Sequence, residues 1–336
     1  MSNARLSPSR VAVVTIGRNE GPRLKACLES VIDSGCRVIY VDSGSSDGSI
    51  DLAAPLVDQV LQLDAAQPFS AARARNEGFA AAVAAAPHLE FVKFLDGDCT
   101  LIAGWMARAQ QAMDEDPARA IVTGPLQERH PEASVYNRMC ALEWKSPPGD
   151  LVNFGSLGGI MLVRAEVFAK LRGFDEQVIA GEDSELGVRV AAAGFKVTKI
   201  AQPMAVHDAD IRRFGQWWKR AVRAGHAIGQ RFSLHGRSAA RDCARERRSA
   251  LLWGAGLPAT ILLLAPVSHG LSFLLAGGYL VLGQRIVRYR LGEGDEPRDA
   301  RLYARFVVIA KFAEALGLLR FHLNHMAGKF RIIEYK

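Results

Sequence analysis

The feature that most constrains the fold is an alternation of short, β-branched apolar runs with helical stretches between Val11 and Leu95. The predicted strands are Val11–Ile16, Arg37–Val41, Gln59–Leu63 and Glu90–Leu95. The helices predicted between them are Pro22–Ile32, Ser49–Leu56 and Ser70–Ala86. Strands that alternate with helices favour βαβ units. The sequence therefore predicts an α/β domain whose mostly parallel sheet is covered on both faces.

Polar side chains follow three of the predicted strands. Gly17–Glu20, Asp42–Asp47 and Asp96–Asp98 each begin where a strand ends. Ligands of parallel sheets bind at the carboxyl ends of the strands. We therefore expect these three segments to converge on one ligand site.

Asp96-Gly97-Asp98 places two carboxylates one residue apart in a tight turn. Such a pair can hold a hard divalent cation and leave coordination positions open for phosphate oxygens. Asp-Gly pairs are also common in ordinary turns. Taken alone, this motif is weak support for a metal site.

Three acids open a predicted helix at Gly181-Glu182-Asp183-Ser184-Glu185. Carboxylates at a helix N-terminus are stabilised by the helix dipole, so simple capping explains one of them. Capping does not explain why three acids stand at this helix start. A carboxylate held there and facing a cleft can act as a general base towards an acceptor hydroxyl.

Two further side chains are candidates for the same site. Arg75, at the start of a helix with Arg73 and Asn76, suits contact with a diphosphate, although a solvated helix face is the simpler reading. His207 follows a short predicted strand, where a structural role is more common than metal ligation.

Six segments together resemble the family 2 glycosyltransferases, which have the GT-A fold. The resemblance covers roughly the first 210 residues and depends on the order and spacing of the segments. They are VAVVTIGRNE (11–20), VDSGSSDGS (41–49), ARNEG (74–78), FLDGD (94–98), GGIMLVRAEVFAKLRGFDE (158–176) and GEDSELGVRVAAAGFKV (181–197).

The resemblance implies a role for each candidate. Glu20 and Asp42 would contact the nucleoside, and Arg75 would lie near a UDP- or GDP-linked sugar donor. Asp96 and Asp98 form the family's DxD motif, which binds Mg²⁺ or Mn²⁺ and, through it, the diphosphate. Asp183 stands where the family has its catalytic base, and His207 matches a histidine that some relatives use near the metal. Enzymes of this kind usually invert the anomeric centre.

Two departures from the family pattern bear on substrate and mode of action. Ser43 replaces the usual second aspartate after Asp42. The QxxRW motif of processive synthases is matched only loosely, by Gln216-Trp217-Trp218-Lys219-Arg220. We therefore favour an enzyme that adds a single sugar.

The charge of the chain divides near Asp210. Residues up to Asp210 carry 20 basic and 27 acidic side chains, whereas the rest carry 22 basic and 8 acidic ones. We predict a catalytic domain over 1–235 and a basic helical region over 236–336. Within that region, Leu251–Gln284 contains no Asp, Glu, Lys or Arg.

This charge-free run is too long for one membrane span, and arginines flank both ends. It predicts a membrane hairpin at about 251–284 with both ends cytosolic, the alternative being a buried helical pair. Leu302–Leu319 contains Arg305, Lys311 and Glu314, so the segment at about 302–323 predicts an interfacial helix and not a spanning one. The five widely spaced cysteines and the absence of a secretory signal fit the cytoplasmic face of the inner membrane.

A membrane tether suggests a lipid-linked or surface-polysaccharide acceptor. Two other classes of protein remain open from the residues. A sugar nucleotidyltransferase would also use a metal-binding aspartate, but it would have a glycine-rich phosphate loop that Gly17–Gly21 does not form. A membrane-tethered nucleic-acid-binding protein would use the arginines of Ile211–Arg248, but no nucleic-acid module accompanies them. We expect membrane lipids, and no nucleic acid, as partners of that region.

Overall fold

A computed structural model describes residues 9–155 and 157–328. The strands are β1 (Val11–Gly17), β2 (Arg37–Asp42), β3 (Gln59–Gln62), β4 (Phe91–Asp96), β5 (Cys99–Leu101), β6 (Arg119–Thr123), β7 (Leu126–Glu128), β8 (Gly149–Asp150), β9 (Met161–Arg164), β10 (Lys196–Lys199) and β11 (Ala205–His207). The helices are α1 (Pro22–Glu29), α2 (Ser49–Ala53), α3 (Ala71–Ala85), α4 (Trp105–Glu115), α5 (Val135–Glu143), α6 (Ala165–Lys170), α7 (Glu182–Ala192), α8 (Phe214–His235), α9 (Ala244–Leu251), α10 (Leu257–Leu264), α11 (Gly277–Gly292) and α12 (Pro297–Met326).

The chain forms two compact units. The first contains the residues up to Arg129, Trp144–Gln177 and Glu182–Ala209. The second contains His130–Glu143, Val178–Gly181 and the chain from Asp210 onward. All eleven strands belong to the first unit, and α8–α12 belong to the second.

An eight-stranded sheet in the order β3-β2-β1-β4-β9-β6-β10-β8 forms the centre of the first unit. β1 pairs in parallel with both β2 and β4, β2 with β3, and β6 with β10. β9 lies antiparallel between β4 and β6. The prediction of an α/β domain with a mostly parallel sheet is confirmed. A second sheet, β5-β11-β7, was not predicted.

The sheet is buried on both faces, as its run of apolar residues requires. On β1, Ala12, Val14 and Ile16 point into one apolar cluster with the alanines of α3. Val11 and Val13 point into the other cluster, which contains Trp105 and Met113 of α4. Because each buried valine or isoleucine contributes about 1.5–3 kcal/mol, this double burial fixes the position of the strand ends.

The second unit is built on two long helices, α8 and α12. Gly225 of α8 and Gly317 of α12 allow very close packing, since a Cβ atom on Gly225 would lie 2.2 Å from the backbone oxygen of Glu314. Trp217 is buried and packs edge-on against Phe306, with ring centroids 4.8 Å apart. The predicted interfacial segment at about 302–323 lies inside α12 and buries Ala304, Ala313, Leu318 and Phe321.

The predicted membrane hairpin at about 251–284 is not found as two spanning helices. The run is divided into a π-helical turn (Leu252–Gly256), α10, a 3₁₀ segment (Leu271–Ala276) and the start of α11. Within residues 9–155 and 157–328, no helix has the length and apolar character needed to cross a bilayer. The break has a local cause, because His269 and Gly270 adopt positive φ angles of 49° and 86° and end the helical geometry there.

Candidate active site

The three polar segments predicted to converge do lie at one edge of the sheet. In the parallel register, Gly17 of β1 pairs with Asp42 of β2, and Ile16 pairs with Asp96 of β4. Asp96 is the last residue of β4, and Asp98 directly precedes β5 of the small sheet. The turn Asp96-Gly97-Asp98, which we call the DGD turn, therefore joins the two sheets.

Asp42 shapes the turn that follows β2. Its carboxylate accepts hydrogen bonds from the Tyr40 hydroxyl (2.8 Å) and from the backbone N–H groups of Gly44 (2.9 Å) and Ser45 (2.7 Å). The side chain is buried. Burial, followed by the hydrogen bond to this carboxylate, raises the pKa of Tyr40 above its usual range. Asp42 thus orders the loop at the sheet edge, and a contact with a nucleoside stays a prediction.

Glu20 lies close to the same loop and to the DGD turn. It pairs with Arg23 at 2.9 Å. A Cβ atom placed on Gly97 would lie 3.2 Å from the Cγ atom of Glu20, so the glycine permits this close approach. The structure brings Glu20, Asp42 and Asp96 to one sheet edge.

Arg75 is the electrostatic centre of the site. Its guanidinium donates one hydrogen bond to Asp96 Oδ1 and another to Glu182 Oε1, each 2.7 Å long. The arginine side chain is only 3% exposed. Burial alone would lower the pKa of Arg75, but the two carboxylates raise it above its ordinary value. The guanidinium is held further by Phe174, whose ring centroid lies 5.5 Å away.

Arg75 also connects the DGD turn to the start of α7. Asp96 and Glu182 are far apart in sequence, yet one guanidinium contacts both. A Cβ atom on Gly159 would lie 1.9 Å from Arg75 Nη2, so this position needs glycine to leave room for the guanidinium. The solvated helix face considered for Arg75 is wrong.

The three acids of α7 differ in their surroundings. Glu182 pairs with Arg75, and Glu185 is buried and pairs with Arg189 at 2.7 Å. Asp183 is half-buried at the first turn of the helix, next to Glu182. Glu182 and Glu185 therefore form ion pairs within the fold, and the role of Asp183 as the base stays a prediction.

Asp98 and His207 form the candidate metal centre. β11 pairs antiparallel with β5, which places His207 opposite Cys99. His207 Nε2 lies 3.4 Å from Asp98 Oδ1. Ligand atoms of Asp98, Cys99 and His207 all lie within 4.8 Å of one another. Buried His207 Nδ1 has no hydrogen-bond partner among the described residues. A carboxylate and an imidazole at this separation fit a divalent cation such as Mn²⁺.

The structure divides the predicted metal ligands. Asp96, predicted as a ligand together with Asp98 and His207, lies outside this three-residue cluster and pairs with Arg75 instead. The sequence reasoning missed Cys99 and Trp144, whose indole ring packs edge-on against His207 with centroids 4.7 Å apart. Burial and the carboxylates of Asp98 and Asp96 raise the pKa of Cys99 well above its ordinary value. The only sequence feature that pointed to Cys99 is its position directly after the DGD turn.

The α/β sheet is covered on both faces and has an acidic turn at its carboxyl edge, which is typical of nucleotide-binding enzymes. The histidine next to this turn adds a candidate metal site. The profile of glycosyl transferase family 2 matches residues 12–169. A second profile, described as the N-terminal domain of galactosyltransferase, matches residues 150–212. Residues 12–169 therefore form a domain of the glycosyltransferase family 2 type, and the chain is a glycosyltransferase.

Two solved structures are similar to this chain. A mannosyltransferase from Pyrobaculum calidifontis, in complex with GDP-Man and Mn²⁺, is 20% identical and superimposes with a TM-score of 0.58 over 93% of this chain and 90% of that one. TarS 1–349 from S. aureus is 14% identical over 96% and 92% of the two chains, with a TM-score of 0.47. The first similarity establishes the GT-A fold. No curated protein matches the sequence.

Proposed function

We propose that the protein transfers a sugar from a nucleoside-diphosphate-sugar to an acceptor hydroxyl with inversion at the anomeric carbon. The observation that carries this proposal is the contact of Arg75 with both Asp96 and Glu182, because it brings the DGD turn and the start of α7 into one site. Asp98 and His207 would hold a Mg²⁺ or Mn²⁺ ion. That ion supplies positive charge against the diphosphate leaving group.

Other side chains of the candidate site would bind the donor and accept the proton. Arg75 would lie near the diphosphate of the donor, where its buried ion pairs hold Asp96 and Glu182 in place. Asp183 would accept the proton of the attacking hydroxyl on the opposite face of the sugar. Glu20 and Asp42 would shape the nucleoside pocket. Inversion needs a single in-line displacement and no covalent intermediate on the enzyme.

Two variants separate donor binding from proton removal. Asp98→Ala should weaken Mn²⁺-dependent binding of the donor by about 10- to 100-fold, because one charged ligand is lost. Asp183→Asn should leave donor binding within about twofold and lower transfer by at least about 100-fold, because the base is lost. Release of nucleoside diphosphate and calorimetric donor binding are measured over a screen of UDP- and GDP-sugars.

Asp33→Asn is the matched control, because Asp33 is exposed and stands outside the site. It should behave like the wild type in both measurements. Unchanged transfer by Asp183→Asn would remove Asp183 from its role. Metal-independent turnover by the wild type would remove the proposed ion from the reaction.

The acceptor is proposed to be lipid-linked or a nascent surface polysaccharide, modified one sugar at a time at the cytoplasmic face of the inner membrane. Support comes from the basic, apolar chain after Asp210 and from the poor match to the QxxRW motif of processive enzymes. Membrane lipids are the proposed partner of that region, and no nucleic acid is expected. Transfer to soluble small acceptors only, with lipid-linked ones ignored, would contradict this part of the proposal.

A further inference from the structure

The second unit carries an exposed apolar segment without Asp, Glu, Lys or Arg, which we call the apolar tip and define as residues 262–281. It contains the end of α10, a turn at His269–Gly270, the 3₁₀ segment and the start of α11. Leu263, Val267, Leu274 and Leu280 are each more than 70% exposed. Soluble proteins rarely leave a contiguous patch of this kind uncovered.

Two hydroxyl groups of the apolar tip are satisfied by hydrogen bonds within the second unit, whereas His269 at the turn is exposed. Ser272 Oγ donates a hydrogen bond to the carbonyl oxygen of Ile261 at 2.8 Å, and both residues are buried. At its base, the Tyr279 hydroxyl donates to the carbonyl oxygen of Trp253 at 2.6 Å. The hydroxyl groups of Ser272 and Tyr279 are therefore hydrogen-bonded, while leucine and valine side chains are exposed. Internal satisfaction of polar groups is what an apolar solvent requires.

The length of the helix that leads into the apolar tip suits one leaflet and not a full crossing. From Leu257 to Leu264, α10 rises only about 11 Å, at about 1.5 Å per residue. The hydrocarbon core of a bilayer is about 30 Å thick. The chain then turns back at Gly270.

Charge identifies the kind of surface that covers the apolar tip. Arg285 and Arg288 are exposed on α11 just after it, and Arg248 is exposed on α9 before it. Arg285 follows Val281 by only about 6 Å along the helix axis, a separation comparable to the depth of a lipid headgroup layer. A second copy of this chain would bring the same surplus of arginine to the interface, whereas anionic headgroups neutralise it.

We infer that the apolar tip inserts into one leaflet of an anionic bilayer, with Arg248, Arg285 and Arg288 against the lipid phosphates. This inference rests on the proposed membrane location and replaces the spanning hairpin with a one-sided anchor. The tip holds the enzyme at the surface where a lipid-linked acceptor is presented.

The test is co-sedimentation of the purified full chain, free of detergent, with vesicles of phosphatidylcholine and phosphatidylglycerol. The wild type should bind these vesicles, and binding to pure phosphatidylcholine should be at least about tenfold weaker. The double variant Leu263→Glu, Leu274→Glu should lose at least about tenfold in vesicle affinity. The matched control is Val135→Glu, Val152→Glu, which places the same charges at exposed apolar positions outside residues 262–281 and should bind like the wild type.

Equal binding by the Leu263→Glu, Leu274→Glu variant and the wild type would overturn the inference. So would a wild-type dimer that this variant abolishes while neither protein binds vesicles, because the tip would then be an interface between copies. Equal affinity for the two kinds of vesicle would overturn the choice of an anionic surface.

Calorimetric binding of UDP and GDP with Mn²⁺ separates this inference from the proposed catalysis. The Leu263→Glu, Leu274→Glu variant should keep wild-type nucleotide affinity. If the wild type binds vesicles but no nucleotide, the proposed reaction is contradicted and the membrane anchor is still supported.

Discussion

At the scale of the residue, Gly159 determines where the guanidinium of Arg75 can lie. A Cβ atom there would overlap Arg75 Nη2, which is the far end of a flexible side chain, so the backbone can stay in place while the arginine moves. Gly159→Ala should therefore fold, with a melting temperature within a few degrees of the wild type. Its kcat/KM should fall by about 10- to 100-fold, the equivalent of one charge-assisted hydrogen bond.

Steady-state kinetics and thermal unfolding of Gly159→Ala provide the measurement. Gly283→Ala is the control, since nothing lies within 4 Å of a Cβ atom at that position. Full activity of Gly159→Ala would mean that the observed position of Arg75 is not needed for transfer.

Lys93 is a second residue whose effect is set by burial. It lies in the middle of β4, fully buried, with its ammonium group 4.0 Å from the centroid of the Trp105 ring. Burial lowers the pKa of Lys93 to about 7, whereas an unfolded lysine titrates near 10.4. Between these values the unfolded chain binds more protons than the folded one. The stability of the fold should therefore rise with pH from about 7 to about 10 and be lowest below that range.

Lys93→Met should remove this pH dependence. At pH 7 the free energy of unfolding should increase by roughly 2 kcal/mol or more, because no ammonium group then has to be desolvated. Urea unfolding at several pH values measures it, with exposed Lys25→Met as the control. Parallel pH curves for Lys93→Met and the wild type would show that the Lys93 pKa is not lowered in the folded state.

At the scale of the element, the packing of α8 on α12 depends on two facing glycines. Gly225→Ala would place a Cβ atom against the backbone of Glu314, so the two helices must separate and lose contacts along their length. We expect a loss of roughly 2–4 kcal/mol in the free energy of unfolding.

Gly215→Ala is the control within the same helix. Nothing lies within 4 Å of a Cβ atom at Gly215, so alanine there should be neutral or stabilise by up to about 1 kcal/mol through its helix propensity. Chemical denaturation compares the two variants. Equal effects of the two substitutions would show that close packing at Gly225 contributes little.

At the scale of the whole molecule, the two parts of the chain carry opposite net charge. The acidic chain up to Asp210 contains the sheet and the candidate active site, where carboxylates can hold a cation. The basic chain after it contains the helices and the apolar tip. This division suits an enzyme that binds a metal with one part and an anionic surface with the other.

The sequence by itself determined the local elements and the edge at which ligands bind. Period and β-branching placed β1, β2 and β4, and the polar residues after them marked the site, because side-chain pattern and turn chemistry are local properties. Only the tertiary structure decided which distant groups meet. The pairing of β11 with β5 brings His207 to Asp98, and the fold brings Arg75 of α3 within 2.7 Å of Glu182 at the start of α7. Neither contact follows from sequence spacing, since each joins residues that are far apart along the chain.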